Sequence, residues 1–408
     1  MSYALTLSLE SARRLAVRCQ HLAGPRPGAG LDGLRQVLRT LRCLQLDPVN
    51  AVARSHLLVL WSRVGGYDPA DLDVLLWQER WLFEYWAHAA SIVLAEDYPI
   101  HQVTIRGYPA GESGYARQVR GWLSANDALR QHVLDRLREK GPLPIGGFDD
   151  VAAEPWRSSG WTNGRSVERM LDFLWFQGQV TVAGRSGRTR LWDLTEHRLP
   201  EWAGTEPLSR EEAVSRAAEH ALRALGVARA ADIEQHFIRD RYPGLAGVLS
   251  DLEAAGLIVP ATVEGGAERW HVHRDVLGLL ERDWEPRTTL LSPFDNLICD
   301  RGRTERLWGF AFRTEMYVPK AKRQYGHYIM PILHGDRLAG RLVPRLDRRR
   351  AVLEIEGLFP EPDTPADEAT TEAVGRAVAE LAAFAGAREI TYGDKVPQPW
   401  RVAQSAGL

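Results

Sequence analysis

The chain has 408 residues and a net charge of −2, with 45% apolar and 25% charged residues, the balance of an ordinary soluble protein long enough for two to four cores. Its longest uncharged, mostly apolar stretch, near 87–95, falls far short of the roughly 20 residues a membrane span requires. The N-terminal MSYALTLSLESARRLA lacks the basic and apolar regions of a secretory signal, so a cytoplasmic protein without membrane contact is expected. Cys19, Cys43 and Cys299 form no C-x-x-C pair, which argues against a zinc ribbon, an iron–sulfur cluster or a disulfide framework. They read as small buried hydrophobes.

Along the chain, Leu9, Ala12, Leu15, Ala16 and Cys19 recur at helical spacing behind Ser8, predicting a capped helix over 8–20. After the Gly-Pro break at 24–28 a second helix fits 31–42. The run 44–49 reads as a short buried segment ended by Pro48. Helices follow over 51–63 and 68–78, and the aromatic-rich stretch 81–92 reads as strands. Between 124 and 199, helices over 125–140 and 164–177, a short element at 148–156 and an alternating hairpin (179–184, a turn at 185–187, then 188–194) give the winged-helix pattern. The pattern repeats over 208–276. Helices fit 209–225, 230–238 and 243–255, the last stopped by Gly256, and strands 257–263 and 268–273 flank Gly265-Gly266.

Beyond residue 287, strands are expected at 307–312, 325–333, 337–343 and 351–359, and a final helix at 364–386. The expected fold class is therefore α+β: tandem winged helices, three if the helical first module is one, then a C-terminal β-rich, barrel-like region and a final helix. The expected domains are 1–115, 116–205, 206–285 and 286–408.

Charge is unevenly spread. Residues 301–350 hold 13 Lys/Arg and 4 Asp/Glu, against 38 and 49 in the rest of the chain. From charge alone, a solvated face and a nucleic-acid surface explain this equally well. Arg313, Lys320, Lys322 and Arg323, the last three between Tyr317 and Tyr328, form the densest part and read as lying at or near a hairpin tip.

No G-x-S-x-G, H-E-x-x-H, phosphate loop or deaminase signature is present. No lysine occurs before Lys140, so a Schiff-base nucleophile from the first module is excluded. The local feature of note is Gln45-Leu46-Asp47-Pro48. On an extended segment Gln45 and Asp47 point to one side, and a carboxylate beside an amide can hold and deprotonate a water. Spacing alone favours a blander reading, a strand end whose aspartate accepts backbone hydrogen bonds.

Three longer stretches change that balance. LQLDPVNAVARSHLLVLWSRVGGY from residue 44, FEYWAHAASIV at 83–93 and LLSPFDNLICDRGRTERLWGFAFRTEMYVPKAKRQYGHYIMPIL at 290–333 resemble, in order, the winged-helix DNA glycosylases of the AlkZ/YcaQ type. The resemblance covers nearly the whole chain. It implies three tandem winged helices with a β-rich C-terminal region, and excision of N7-alkylated purines and unhooking of interstrand crosslinks in double-stranded DNA.

It also implies catalysis by a Q-x-Q or Q-x-D motif, whose first and last positions Gln45 and Asp47 match. The aspartate places the chain in the broader, YcaQ-like Q-x-D branch. Pro48 departs from the pattern, and its rigid φ fits a fixed strand exit. Arg54, His56 and His88 become possible active-site support, Arg54 through phosphate or through Asp47. The resemblance favours DNA contact by Arg313, Lys320, Lys322 and Arg323.

The expected protein is a monomeric, nucleoid-associated, monofunctional glycosylase with no metal or organic cofactor and no lyase lysine. A crosslinked base cannot rotate fully into a pocket, so an open, shallow site is expected. The 14 tryptophans are then core residues rather than a stacking pocket. Two alternatives remain: a winged-helix transcription regulator without catalysis, and a self-resistance glycosylase for one genotoxic natural product.

Overall fold

The computed structural model describes residues 5–158, 163–187, 189–204, 206 and 208–401. Residues up to 72 together with those from 215 onward form one compact unit, and residues 73–214 form a second. The architecture is mixed α and β.

In the first unit, the helix Leu9–Cys19 starts where its spacing predicts. Ser8 Oγ accepts from Ser11 N at 3.0 Å, and Ala12, Leu15, Ala16 and Cys19 are buried. Leu5–Leu7 pairs in parallel with Ile258–Val263. The first strand of the chain thereby joins the late sheet formed with Trp270–His273 and Val227–Ala228. Leu7, Leu15, Val227, Val272 and Leu307 make a common core there.

The elements around that sheet follow the expected order: Ala230–Glu234, Leu245–Ala254, then the hairpin. The helix expected over 230–238 stops at Glu234, because Phe237 and Asp240 adopt φ of 53° and 60°, a conformation that ends α-helices. Gly256, at φ 67°, follows the next helix as expected.

Leu31–Leu41 buries Leu34, Val37, Leu38 and Leu41 and leads through Arg42 into the strand Cys43–Gln45. The next helix is Ser55–Val64, four residues later than its spacing suggests. The reason is tertiary. The carbonyl of Ala51 accepts from Leu346 N at 2.9 Å, and Arg348 bonds the carbonyls of Asn50 at 3.2 Å and Val52 at 2.9 Å. These carbonyls are engaged outside any helix. Trp61 and Tyr67 stack on Phe384 of the last helix, with centroids 6.2 and 5.4 Å apart.

The C-terminal region departs from expectation in three ways. Residues 307–312 are not a strand. They are the end of the helix Arg301–Trp308, capped by Asp300 and followed by Gly309 at φ 65°. Phe310 and Phe312 are both buried in irregular chain, and that alternation mimics a strand.

The β-rich region is also an open five-stranded sheet rather than a barrel, ordered Thr288–Leu290, Met330–His334, Arg337–Asp347, Val352–Pro360, Glu389–Lys395. Gly340 is required in it, since a Cβ there would lie 2.7 Å from the Phe359 carbonyl oxygen. Thirdly, the helix Glu368–Phe384 is not the last element. It is the crossover that lets Glu389–Lys395 pair in parallel with Val352–Pro360, as parallel pairing demands.

The second unit opens with the π-helical turn Val74–Gln78, and the hairpin Leu82–Trp86 and Ala90–Leu94 follows, where strands are expected. Helices Gly114–Ala125, Asp127–Lys140 and Ser166–Phe176 precede a second hairpin, Val180–Ser186 with Thr189–Leu194, which Leu143–Pro144 joins. Arg188, the expected start of its second strand, lies outside the described residues. No regular element forms at 148–156; the nearest is a 3-10 turn, Ile145–Gly147. Buried Glu84 is held by Arg185 at 2.5 and 3.2 Å, which ties the two hairpins together.

Eight tryptophans (61, 81, 122, 156, 175, 192, 270 and 400) are buried, as core residues should be, whereas Trp86 and Trp202 are exposed and Trp161 lies outside the described residues. No helix among the described residues is long and apolar enough to cross a membrane. Cys19 and Cys43 are buried and Cys299 half-buried. Burial pushes the Cys19 thiol up to about 12.

Candidate active site

The strand Cys43–Gln45 carries two fully buried residues, Cys43 and Leu44, and then surfaces. Gln45, Leu46 and Asp47 are half-buried and Pro48 is exposed. Asp47 Oδ1 accepts from Val49 N at 2.8 Å, an Asx turn across Pro48. Asp47 Oδ2 accepts from the Tyr317 hydroxyl at 3.0 Å. Among the described residues no ion pair joins Arg54 to Asp47; the tyrosine takes that place. Arg54, half-buried, precedes the helix Ser55–Val64 as its cap residue, and His56 is buried in its first turn.

His88 belongs to the second unit, half-buried in the turn between Leu82–Trp86 and Ala90–Leu94. In the basic segment Arg313, Lys320 and Lys322 are exposed, and Arg323 is half-buried, donating through Nε to the Val318 carbonyl at 2.8 Å. The segment is no hairpin tip: Lys320–Lys322 form a single 3-10 turn. Its loop is closed by Glu315, whose carboxylate accepts from Gln324 N, Tyr325 N and Gly326 N at 3.0, 3.0 and 3.1 Å. Gly326 packs so closely that a Cβ there would lie 2.5 Å from Val343.

Behind this surface the strand is fixed by residues that sequence reasoning did not single out. Asn296 Nδ2 donates to the Cys43 carbonyl at 2.9 Å. The neighbouring Asp295 holds Arg63 by two bonds, at 2.5 and 2.8 Å, both side chains being fully buried. Arg63 also reaches Gln20 at 2.8 Å and the Val59 carbonyl at 3.1 Å, so the guanidinium is saturated. The only advance signal for these anchors was their place in the long stretch 290–333. An Asp-Asn pair in a Pro-containing loop more often serves the loop itself.

Charge at the site is felt by both tyrosines. Partial burial, then the bond to Asp47 and its charge, raises the Tyr317 hydroxyl above its ordinary value. Burial pushes Tyr328 up to about 12, its hydroxyl bonded to Ser55 and Ser292, with the Asp47 charge adding to the rise. Both phenols therefore stay neutral near pH 7, and Asp47 meets donors that do not cancel its charge. No group of three or more His, Cys, Asp or Glu side chains converges on a candidate metal site among the described residues. A cavity of about 780 Å³ in the same unit is lined by residues such as Arg18, His21, Arg39 and Glu285, and includes none of the candidates.

A family model for the AlkZ-like DNA glycosylases matches residues 38–384. The chain belongs to that family. Among solved structures it is similar to the Streptomyces sahachiroi DNA glycosylase AlkZ, with a TM-score of 0.66 and 16% identity, over 96% of this chain and all of that one. At that identity the likeness concerns the fold. Membership makes the chain a DNA glycosylase at family level, with DNA as its partner. Gln45, Asp47, Asp295, Asn296 and Tyr317 all fall inside the AlkZ-like match.

Proposed function

We propose that the chain is a monofunctional DNA glycosylase that hydrolyses the N-glycosidic bond of N7-alkylated purines and unhooks crosslinks built on them. N7-alkylation makes the base cationic, so it departs without a general acid. What remains is to stabilise positive charge on the deoxyribose and to place a water at C1′. Asp47 does the first and takes the water's proton, and Gln45 holds the water. The observation that carries this reading is the Asp47 carboxylate itself, half-buried, held by Val49 N and Tyr317, and so joined to the basic loop of Lys320 and Lys322. The absence of lysine before Lys140 fits hydrolysis rather than imine chemistry.

We read Gly114–Leu194 and Arg210–His273 as winged helices, from their helices followed by a hairpin, and the first module as a third. The domains 1–115, 116–205, 206–285 and 286–408 follow that reading. The Asp at position 47 favours the broader Q-x-D substrate range over a single natural-product lesion. Action as a monomer on chromosomal DNA in the cytoplasm completes the proposal.

The test is incubation with a duplex bearing one N7-methylguanine, followed by alkaline cleavage at abasic sites. Strand breaks at the lesion are expected. Their absence, with intact duplex binding, would leave a DNA-binding protein without this activity.

Lys320 and Lys322 are assigned to the DNA backbone. The variant K320E/K322E is expected to bind duplex more weakly, with its log–log salt slope shallower by about 2, one for each lost phosphate contact. An unchanged slope, measured by fluorescence anisotropy across a salt series, would remove these lysines from the interface.

A further inference from the structure

We infer that Tyr317 is a positioning residue for the proposed hydrolysis, acting through Asp47; the inference rests on the reading just given. Tyr317 is 70% exposed, and an exposed phenol is ordinarily satisfied by water. Here the hydroxyl donates to Asp47 Oδ2 at 3.0 Å, across 270 residues of sequence. The ring does not find that place through burial. The loop delivers it, closed at its base by the three bonds to Glu315 and braced by Arg323 on the Val318 carbonyl. That is a rigid mount for a side chain with few contacts of its own.

The bond has a chemical consequence. Val49 N occupies Oδ1 and Tyr317 occupies Oδ2, so both oxygens are oriented and the carboxylate plane is set. A neutral donor stabilises the ionised carboxylate without pairing its charge away, as an arginine would. Each carboxylate oxygen can accept more than one hydrogen bond, so Oδ2 retains a position for the attacking water. The arrangement keeps Asp47 aimed and available to a developing cation. The ring is also the exposed aromatic surface that joins the carboxylate to the loop of Lys320 and Lys322.

The test compares wild type, Y317F, D47N and Y317F/D47N. Single-turnover excision of N7-methylguanine is followed at neutral pH, with spontaneous base loss subtracted. Y317F keeps the ring and removes only the bond. It is expected to excise about tenfold more slowly at unchanged half-saturating enzyme concentration. In the D47N background Y317F should add no further loss. Duplex binding supplies a second readout. Wild type should prefer a protonated pyrrolidine at the lesion sugar over a neutral tetrahydrofuran, and Y317F should lose about fivefold of that preference while binding the tetrahydrofuran duplex as before.

A Y317F enzyme with wild-type rate and wild-type preference for the pyrrolidine duplex overturns the inference and leaves the glycosylase reading standing. So does an equal weakening on both duplexes, which would mark the tyrosine as structural support. A wild type that yields no abasic sites overturns the glycosylase reading, and the inference with it.

Discussion

Asp47→Asn is expected to lower single-turnover excision of N7-methylguanine by about 10²–10⁴-fold, the usual span for removing a positioned general base, while duplex affinity is retained. Asparagine has nearly the shape of aspartate, and its amide oxygen can still accept from Val49 N or from Tyr317, so the loop keeps most of its bonds. The charge is what goes. A neutral amide cannot offset a forming oxocarbenium ion or take the proton of the attacking water. Melting temperature should therefore barely move while the rate collapses, and that combination separates a chemical role from a structural one. The competing account, in which Asp47 merely terminates a strand, predicts the reverse: a small loss of stability from one backbone bond and nearly full activity. Excision by D47N at the wild-type rate would withdraw the aspartate from the mechanism.

The second large effect is on stability. Arg63→Met should destabilise the first unit by ~3–5 kcal/mol, because it leaves the fully buried Asp295 carboxylate without its counter-charge. For a body of this size that corresponds to a fall in melting temperature on the order of 6–10 °C, measurable by calorimetry. The double variant R63M/D295L should recover much of the loss, since two apolar groups no longer strand a buried charge. Asp295 also accepts from Leu297 N at 2.9 Å, and its neighbour Asn296 holds the strand of Gln45. R63M should thus lose excision activity at temperatures where it is still folded. If R63M melts within a degree of wild type, the Arg63–Asp295 pair does not stabilise the first unit.

Local pattern made much of the fold legible. Helix positions followed where apolar spacing, caps and glycine stops agreed, as at Leu9–Cys19 behind Ser8 and Leu245–Ala254 before Gly256. It failed where distant residues intervene. Residues 51–54 read as helical, yet the carbonyls of Ala51 and Val52 serve Leu346 and Arg348. Residues 307–312 read as a strand because Phe310 and Phe312 both turn into the core. The last strand went unread because its partner, Val352–Pro360, lies across a helix and no local signal records a parallel pairing.

The site divides in the same way. The Gln45-Leu46-Asp47 segment, the basic stretch around Lys320 and, by resemblance, the family were legible from neighbouring residues. What surrounds the carboxylate comes from long-range contacts. Tyr317 occupies the place considered for Arg54, Asn296 ties down Cys43, and Arg63 with Asp295 forms the buried pair beneath. The physical reason is that a carboxylate's behaviour is set by the donors within hydrogen-bond reach, and here a decisive one arrives from 270 residues away on a loop whose shape depends on Glu315 rather than on its own propensities.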